Sequence, residues 1–100
     1  MSMDTAIATA VSGLHANAER FRVAAFNVVN ANTDGFKAHL ATTVSEAPAG
    51  VRTETTVSDA PVDLATEYVN MTVAQIGYDA DAKVISSLER MNGALLDITA

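Results

Sequence analysis

The chain has 100 residues, of which 49% are apolar, and a formal net charge of -6. Its 6 basic residues are scattered, which excludes the clustered Lys and Arg that nucleic acid and anionic membrane surfaces require, and its 0 cysteines exclude disulfides and thiolate metal sites. A chain of this length forms one domain at most, with a thin core, because much of a small domain's surface stays in water.

The first predicted element is a helix between Asp4 and Asn30, roughly 40 Å long at 1.5 Å per residue. Its apolar residues alternate at intervals of four and three, the spacing of a coiled-coil seam: Ile7, Val11, Leu14, Ala18, Phe21, Ala25 and Val28. We expect this helix to end at a turn comprising Thr33, Gly35 and Phe36, because glycine accepts the left-handed conformation that closes a helix C-terminus.

Residues 36–61 are predicted to form a linker, either extended or folded into a short β-hairpin. Thr, Val, Glu and Ser alternate in the runs ATTVSE and VRTETTVS, which the turn-forming run APAG separates. Because an isolated two-stranded hairpin is marginal in water, the extended form is the favoured one.

The last predicted element is a helix of about 55 Å between Val62 and Ile98. Pro61 marks its boundary, Asp63 is a candidate N-cap, and Glu67 lies in the first turn, where a negative charge favours the helix dipole. Its main apolar stripe comprises Val69, Val73, Ile76, Ala80, Val84, Leu88, Met91, Leu95 and Ile98.

A second apolar edge of this helix includes Met71 and Tyr78, so the helix has apolar surface for more than one neighbour. Together these patterns predict an all-α fold: two long antiparallel helices that form a coiled-coil hairpin. The predicted organisation is an N-terminal helix in residues 1–35, the linker in 36–61, and a C-terminal helix in 62–100.

Candidate catalytic or metal-binding residues are few. His15 and His39 are far apart in sequence, and neither has a partner at the spacing of a metal site. Asp79 and Asp81 are two positions apart on a helix, so they point to different faces and are expected on a solvated surface. We therefore expect no catalytic residues, no metal and no cofactor, and predict that the protein is not an enzyme.

Two sets of residues have open interpretations. A buried Asn at a helical interface fixes register at a cost in stability, but Asn27 and Asn30 also suit a frayed helix end, which their spacing slightly favours. Gly13, Gly77 and Gly93 each cost roughly 0.5–1 kcal/mol relative to Ala within a helix. Close contact between helices would offset that cost, and tolerance in a loosely packed helix is the alternative.

The run from Ser12 to Lys37 closely resembles the N-terminal signature of flagellar basal-body rod and hook proteins. The matching positions are Ser12, Gly13, Leu14, Ala16, Asn27, Asn30, Thr33, Gly35, Phe36 and Lys37. Phe26 stands where that family usually has the first Asn. The run from Val62 to Ile98 resembles the family's C-terminal signature, with matches at Glu67, Val69, Asn70, Met71, Gln75, Tyr78, Lys83, Ile85 and Met91.

The resemblance implies a structural subunit of the flagellar rod, whose helices pack with other rod and hook subunits, and it allows self-association. It also implies passage through the flagellar type III export apparatus and a place in the basal body, the periplasmic axial structure. The acid at Asp4 argues against a cleavable signal peptide, and no stretch approaches the roughly 20 apolar residues that direct membrane insertion needs.

Rod and hook proteins usually carry a further β-rich region between their terminal helices, whereas here residues 36–61 alone join them. That difference motivates an alternative: a helical hairpin that is not assembled and acts as an adaptor, regulator or export chaperone of the flagellar system. The residues expected to pair the helices or mediate assembly are Ile7, Val11, Leu14, Phe21, Asn27, Val28, Asn30, Val69, Met71, Val73, Ile76, Tyr78, Leu88, Met91, Leu95 and Ile98.

Overall fold

The computed structural model describes residues 2–99. In chain order, the elements are helix α1 (Met3–Val29), strand β1 (His39–Ser45), strand β2 (Val51–Val57) and helix α2 (Leu64–Thr99). The molecule is elongated, with extents of 62 × 24 × 14 Å. Within residues 2–99, no helix combines the length and the apolarity that crossing a membrane requires.

Side-chain caps define the start of each helix. The Ser2 hydroxyl accepts a hydrogen bond from the Thr5 amide (3.1 Å) at the start of α1. At the start of α2, the Asp63 carboxylate accepts from the Ala65 amide (3.0 Å) and the Thr66 amide (3.3 Å), as the N-cap prediction requires. These bonds satisfy amide groups that a helix leaves without partners in its first turn.

The end of α1 lies earlier than the sequence predicts. The helix ends at Val29, and both the backbone amide (3.1 Å) and the side-chain amide (3.0 Å) of Asn30 donate to the Phe26 carbonyl. The predicted turn follows separately: Gly35 has a φ of 73°, and the Phe36 amide donates to the Thr33 carbonyl (3.1 Å). The chain therefore leaves the helix through Asn30 before the left-handed glycine redirects it.

The all-α prediction is not confirmed, because residues 39–57 form an antiparallel hairpin in which Thr43 pairs with Thr53; this is the β-hairpin form of the predicted linker. The hairpin is anchored to α1, since the Val51 amide donates to the Ser12 hydroxyl (3.1 Å) and the Thr53 hydroxyl donates to the Ala16 carbonyl (3.4 Å). A hairpin that is marginal alone gains an ordered partner in this way.

The two helices run antiparallel, since residues later in α1 contact residues earlier in α2. Asn17 hydrogen bonds to Asp81, whereas Asn27, nearly three turns further along α1, hydrogen bonds to Glu67. The helical-hairpin part of the fold prediction is therefore consistent with the structure. The β-hairpin lies along α1, so α1 is the element on which the other two pack.

Small and polar residues form the contact between the helices. This α1–α2 seam comprises Gly13, Asn17, Ala24 and Asn27 of α1 with Glu67, Ala74, Gly77 and Asp81 of α2. Ala24 and Ala74 are buried, at 2% and 0% exposed. A coiled coil would place large apolar side chains along the seam, so the coiled-coil prediction is not confirmed.

Candidate assembly surface

The main apolar stripe of α2 is largely exposed and lies to one side of the face that meets α1. Its large side chains are between 47% and 79% exposed: Val69, Val73, Ile76, Val84, Met91, Leu95 and Ile98. At 100° per residue, the stripe lies about a quarter turn from the buried position of Ala74. Of the predicted stripe, Val84 and Leu88 border a cleft that residues of α1 also line, whereas the other large side chains are mostly exposed.

Five charged residues of α2 are exposed: Asp79, Lys83, Glu89, Arg90 and Asp97. Lys83 follows Ile76 by seven residues, so this charged surface borders the apolar stripe, whereas the charged residues Glu67 and Asp81 lie in the seam. The helix thus has three faces: one against α1, one exposed and apolar, and one exposed and charged. A helix of a monomeric protein usually has only the first and the third.

The remaining predicted residues of α2 lie closer to α1. Leu88 is half-buried and borders a cleft with Gly13 and Val84. Met71 is also half-buried, and Tyr78 is 40% exposed. Leu88, which the sequence analysis assigns to the main stripe, therefore lies beside α1, and Met71 and Tyr78 flank the seam.

The predicted apolar residues of α1 are only partly covered. Ile7, Val11, Leu14 and Val28 are half-buried, and Phe21 is 36% exposed. Phe21 and Tyr78 border an open groove of about 410 Å³, with the buried Ala74 among its lining residues. Because Gln75 and Asp79 also line it, the groove opens on the side of α2 opposite to the apolar stripe.

Asn27 joins three elements of the fold. Its side chain is fully buried; the amide nitrogen donates to the His39 carbonyl (2.8 Å) and to Glu67 Oε2 (2.9 Å), and its oxygen accepts from the His39 amide (2.9 Å). Glu67 is 5% exposed and also accepts a hydrogen bond from Asn70 (3.3 Å). The frayed-end interpretation is therefore wrong for Asn27, whereas Asn30 caps the helix end.

A second polar contact crosses the seam near its middle. The Asn17 amide donates to Asp81 Oδ2 (2.9 Å), and Arg20 donates to the Asn17 side-chain oxygen (3.2 Å). Asp79 is exposed as expected, but Asp81 is half-buried in this contact, so a solvated surface was the wrong expectation for it. The (i, i+2) spacing indicated different faces correctly, but did not show that one of them meets α1.

Three aromatic rings pack together at the end of the molecule where α1 ends. The centroids of Phe26 and Phe36 are 5.6 Å apart, those of Phe26 and His39 are 5.1 Å apart, and Phe36 stacks on His39 at 5.3 Å and 15°. Phe26 therefore packs its ring against the helix-end turn and β1. This gives a structural role to the residue that departs from the rod-protein signature.

The ion pairs described for residues 2–99 lie at exposed side chains. Arg22 donates to Glu19 (3.0 Å) and holds the pKa of that carboxyl below its usual value; Arg52 pairs with Glu54 (2.7 Å). Among residues 2–99, no group of three or more His, Asp or Glu side chains could hold a metal ion. The polar contacts instead join secondary-structure elements to one another.

Two family models match the chain, one in its N-terminal part and one in its C-terminal part. Residues 7–37, which span most of α1 and the helix-end turn, match the family described as flagella basal body rod protein. Residues 55–98, from the end of β2 through α2, match the family described as flagellar basal body rod FlgEFG protein C-terminal. No curated protein matches the chain. The two matches lie in sequential order and together cover about three quarters of the residues, so the chain belongs to the flagellar basal-body rod and hook family.

Proposed function

We propose that this protein is a structural subunit of the bacterial flagellar basal-body rod, which assembles by packing its helices against those of neighbouring subunits. The observation that carries the proposal is the outward apolar stripe of α2. A row of exposed Val, Ile, Leu and Met side chains along most of a 36-residue helix is typical of an interaction surface. The rod families matched by the chain are structural, and their description places them in the basal body.

The positions of the two apolar surfaces favour a continuing assembly. The stripe lies on one flank of α2, and the groove between Phe21 and Tyr78 opens on the other. A subunit bound through one surface keeps the other free for the next subunit. Contacts of this heterologous kind build rings or helical filaments, as a rod requires, whereas a self-complementary patch would stop at a dimer.

The polar seam supports the same assignment. Because the helices pair through Ala, Gly, Asn and acidic residues, the large apolar side chains are left for other subunits. Incorporation would remove the stripe from water and stabilise each folded subunit by mass action. In this proposal the subunit reaches the axial structure through the type III export apparatus.

Quantitative mass spectrometry of purified basal bodies tests the proposal. Cells that produce the unaltered protein should yield basal bodies that contain it, and Ile76→Asp, which places a charge in the stripe, should remove it from them. Ser86→Asp introduces the same charge on an exposed position of the polar flank and should be incorporated normally. Swimming in soft agar should follow incorporation.

Two results would contradict the proposal. Incorporation of Ile76→Asp at the level of the unaltered protein would show that the stripe is not an assembly surface. Consistent absence of the unaltered protein from basal bodies, with a folded pool in the cytoplasm, would favour the adaptor, regulator or export chaperone instead.

A further inference from the structure

We infer that the free subunit forms a two-fold symmetric dimer, in which the apolar stripe of α2 packs antiparallel against the same stripe of a second copy. The inference goes beyond the proposed function, because it concerns the subunit before incorporation and does not require the rod assignment. Pairing of this kind removes the stripe from water. Because the dimer and the rod contact use the same side chains, they exclude each other.

A charged edge runs beside the stripe and carries both signs. Lys83 follows Ile76 by seven residues, Arg90 follows Lys83 by seven, and Asp79 precedes Lys83 by four, so the three charges lie along one edge of the helix. All three are exposed, and the ion pairs of residues 2–99 include none of them. Arg90 donates a long hydrogen bond to Ser87 (3.4 Å). These charges are therefore available to another molecule.

The order of the charges along this edge favours a second copy in antiparallel orientation. In an antiparallel pair related by a two-fold axis, the same edge of each helix lies at the contact, and the two edges run in opposite directions. Asp79 of one copy then faces the partner's Arg90, and Arg90 faces the partner's Asp79. A parallel pair would place the two charged edges on opposite sides of the contact, where neither ion pair forms.

The register that forms these ion pairs also brings the two stripes into full overlap. The midpoint between Asp79 and Arg90 lies between positions 84 and 85, and the midpoint of the stripe from Val69 to Ile98 lies between positions 83 and 84. These midpoints are one residue apart, or roughly 1.5 Å along the axis. A register that instead pairs Lys83 with the partner's Asp79 is centred on position 81 and shortens the apolar overlap.

The β-hairpin leaves room for this arrangement. Its base lies at Asn27, which meets Glu67 near the start of α2, and its tip at Gly50 and Val51 borders the cleft that Val84 also lines. The hairpin therefore lies beside the first half of α2 and ends near the midpoint of the stripe. In an antiparallel pair, the partner's hairpin lies beside the second half, so the two hairpins do not compete for the same space.

Sedimentation equilibrium of the full chain tests the inference. The unaltered protein should form a dimer that dissociates on dilution, since one helix stripe is smaller than a permanent interface. Asp79→Arg and Arg90→Asp each place like charges at both ion-pair positions, and each should raise the dimer Kd by roughly tenfold. An equimolar mixture of the two variants restores opposite charges at both positions, so it should dimerise nearly as tightly as the unaltered protein.

Glu89→Arg is the matched control for charge reversal. Glu89 is exposed and lies two residues before Met91 of the stripe, on the opposite side of the helix, so this variant should dimerise like the unaltered protein.

Disulfide formation tests the orientation, because the chain has 0 native cysteines. Position 84 lies beside its own counterpart at the two-fold axis, so Val84→Cys should form a disulfide-linked dimer on mild oxidation. Ser86→Cys, at an exposed position on the other side of the helix, should not.

Several results would overturn the inference: a monomer at every concentration, open-ended oligomers in place of a dimer, or a mixture of the two charge variants that fails to recover dimerisation. A disulfide through Ser86→Cys without one through Val84→Cys would place the contact elsewhere, with the same consequence. Incorporation of a protein that is monomeric in solution would remove the dimer and leave the proposed rod function intact, so the two proposals fail separately.

Discussion

Asn17 lies directly against the backbone of Gly77, so that a Cβ at position 77 would be 2.7 Å from the Asn17 amide nitrogen. Gly77→Ala must therefore displace the Asn17 side chain, and we expect this to weaken its bond to Asp81 (2.9 Å). Gly93 is the matched control, since a Cβ there would meet nothing within 4 Å.

We expect Gly93→Ala to raise the free energy of unfolding by about 0.5–1 kcal/mol through helix propensity. Gly77→Ala gains the same helix propensity but weakens a hydrogen bond to a charged group, so it should be about 1–3 kcal/mol less stable than Gly93→Ala. Urea denaturation followed by circular dichroism measures the difference. Equal stability of the two variants would contradict the close packing of Asn17 on Gly77.

Gly35 has a φ of 73° and open space around its Cβ position, so a substitution there is strained by the backbone alone. Gly35→Ala should lower the free energy of unfolding by about 1–2 kcal/mol, and Gly35→Asn by less, because Asn tolerates the left-handed conformation better. The same urea titrations test whether stability falls in the order unaltered protein, Gly35→Asn, Gly35→Ala. If Asn were as destabilising as Ala, the loss would not arise from φ.

Charges in the half-buried and exposed parts of α2 should have different effects. Leu88→Asp places a carboxylate beside Gly13 and Val84, and should destabilise the isolated chain by about 1–3 kcal/mol. Ile76 is 64% exposed, so Ile76→Asp should change stability by less than about 0.5 kcal/mol. Thermal unfolding of both proteins separates a defect in folding from a defect in assembly; equal losses would contradict the outward position of Ile76.

The ion pair between Glu19 and Arg22 should make the free energy of unfolding depend slightly on pH, and the direction of that dependence follows from the pKa of Glu19. The hydrogen bond from Arg22 lowers the pKa of Glu19 in the folded protein, so the pair stabilises the fold above the ordinary carboxyl pKa. That contribution is lost as the pH falls through the lowered pKa. The effect is small because both side chains are substantially exposed.

Urea midpoints at pH 7 and pH 3 test this sign. The midpoint of the unaltered protein should fall slightly more on acidification than that of Glu19→Gln, whose side chain does not titrate. An equal fall in both proteins would contradict a stabilising pair. All other carboxylates are the same in both proteins, so the comparison isolates Glu19.

Local signals in the sequence predict much of the secondary structure. Apolar periodicity indicates both helices, Asp63 indicates the start of α2, and Gly35 indicates the left-handed turn. The alternation of Val51 and Thr53 with charged residues suits the strand that forms. Each of these features depends on neighbours within a few positions along the chain, so the sequence alone carries the information.

The sequence does not reveal which face of each helix meets the other. The spacing of Val69, Val73 and Ile76 describes an apolar face but not its neighbour, and the structure leaves these side chains exposed. The order of the β-hairpin likewise depends on Ser12 and Ala16, which are distant in sequence. A local sequence pattern does not reveal contacts between residues that are so far apart along the chain.

From the sequence one can predict two helices, the turn between α1 and the strands, and the rod-family signatures at both ends. The three-dimensional structure adds that Asn27 and Glu67 meet across a seam of small residues, and that most large apolar side chains of the α2 stripe are exposed. Periodicity indicates what a helix face contains, whereas close approach at Gly77 and buried hydrogen bonding at Asn27 determine which face meets the other helix.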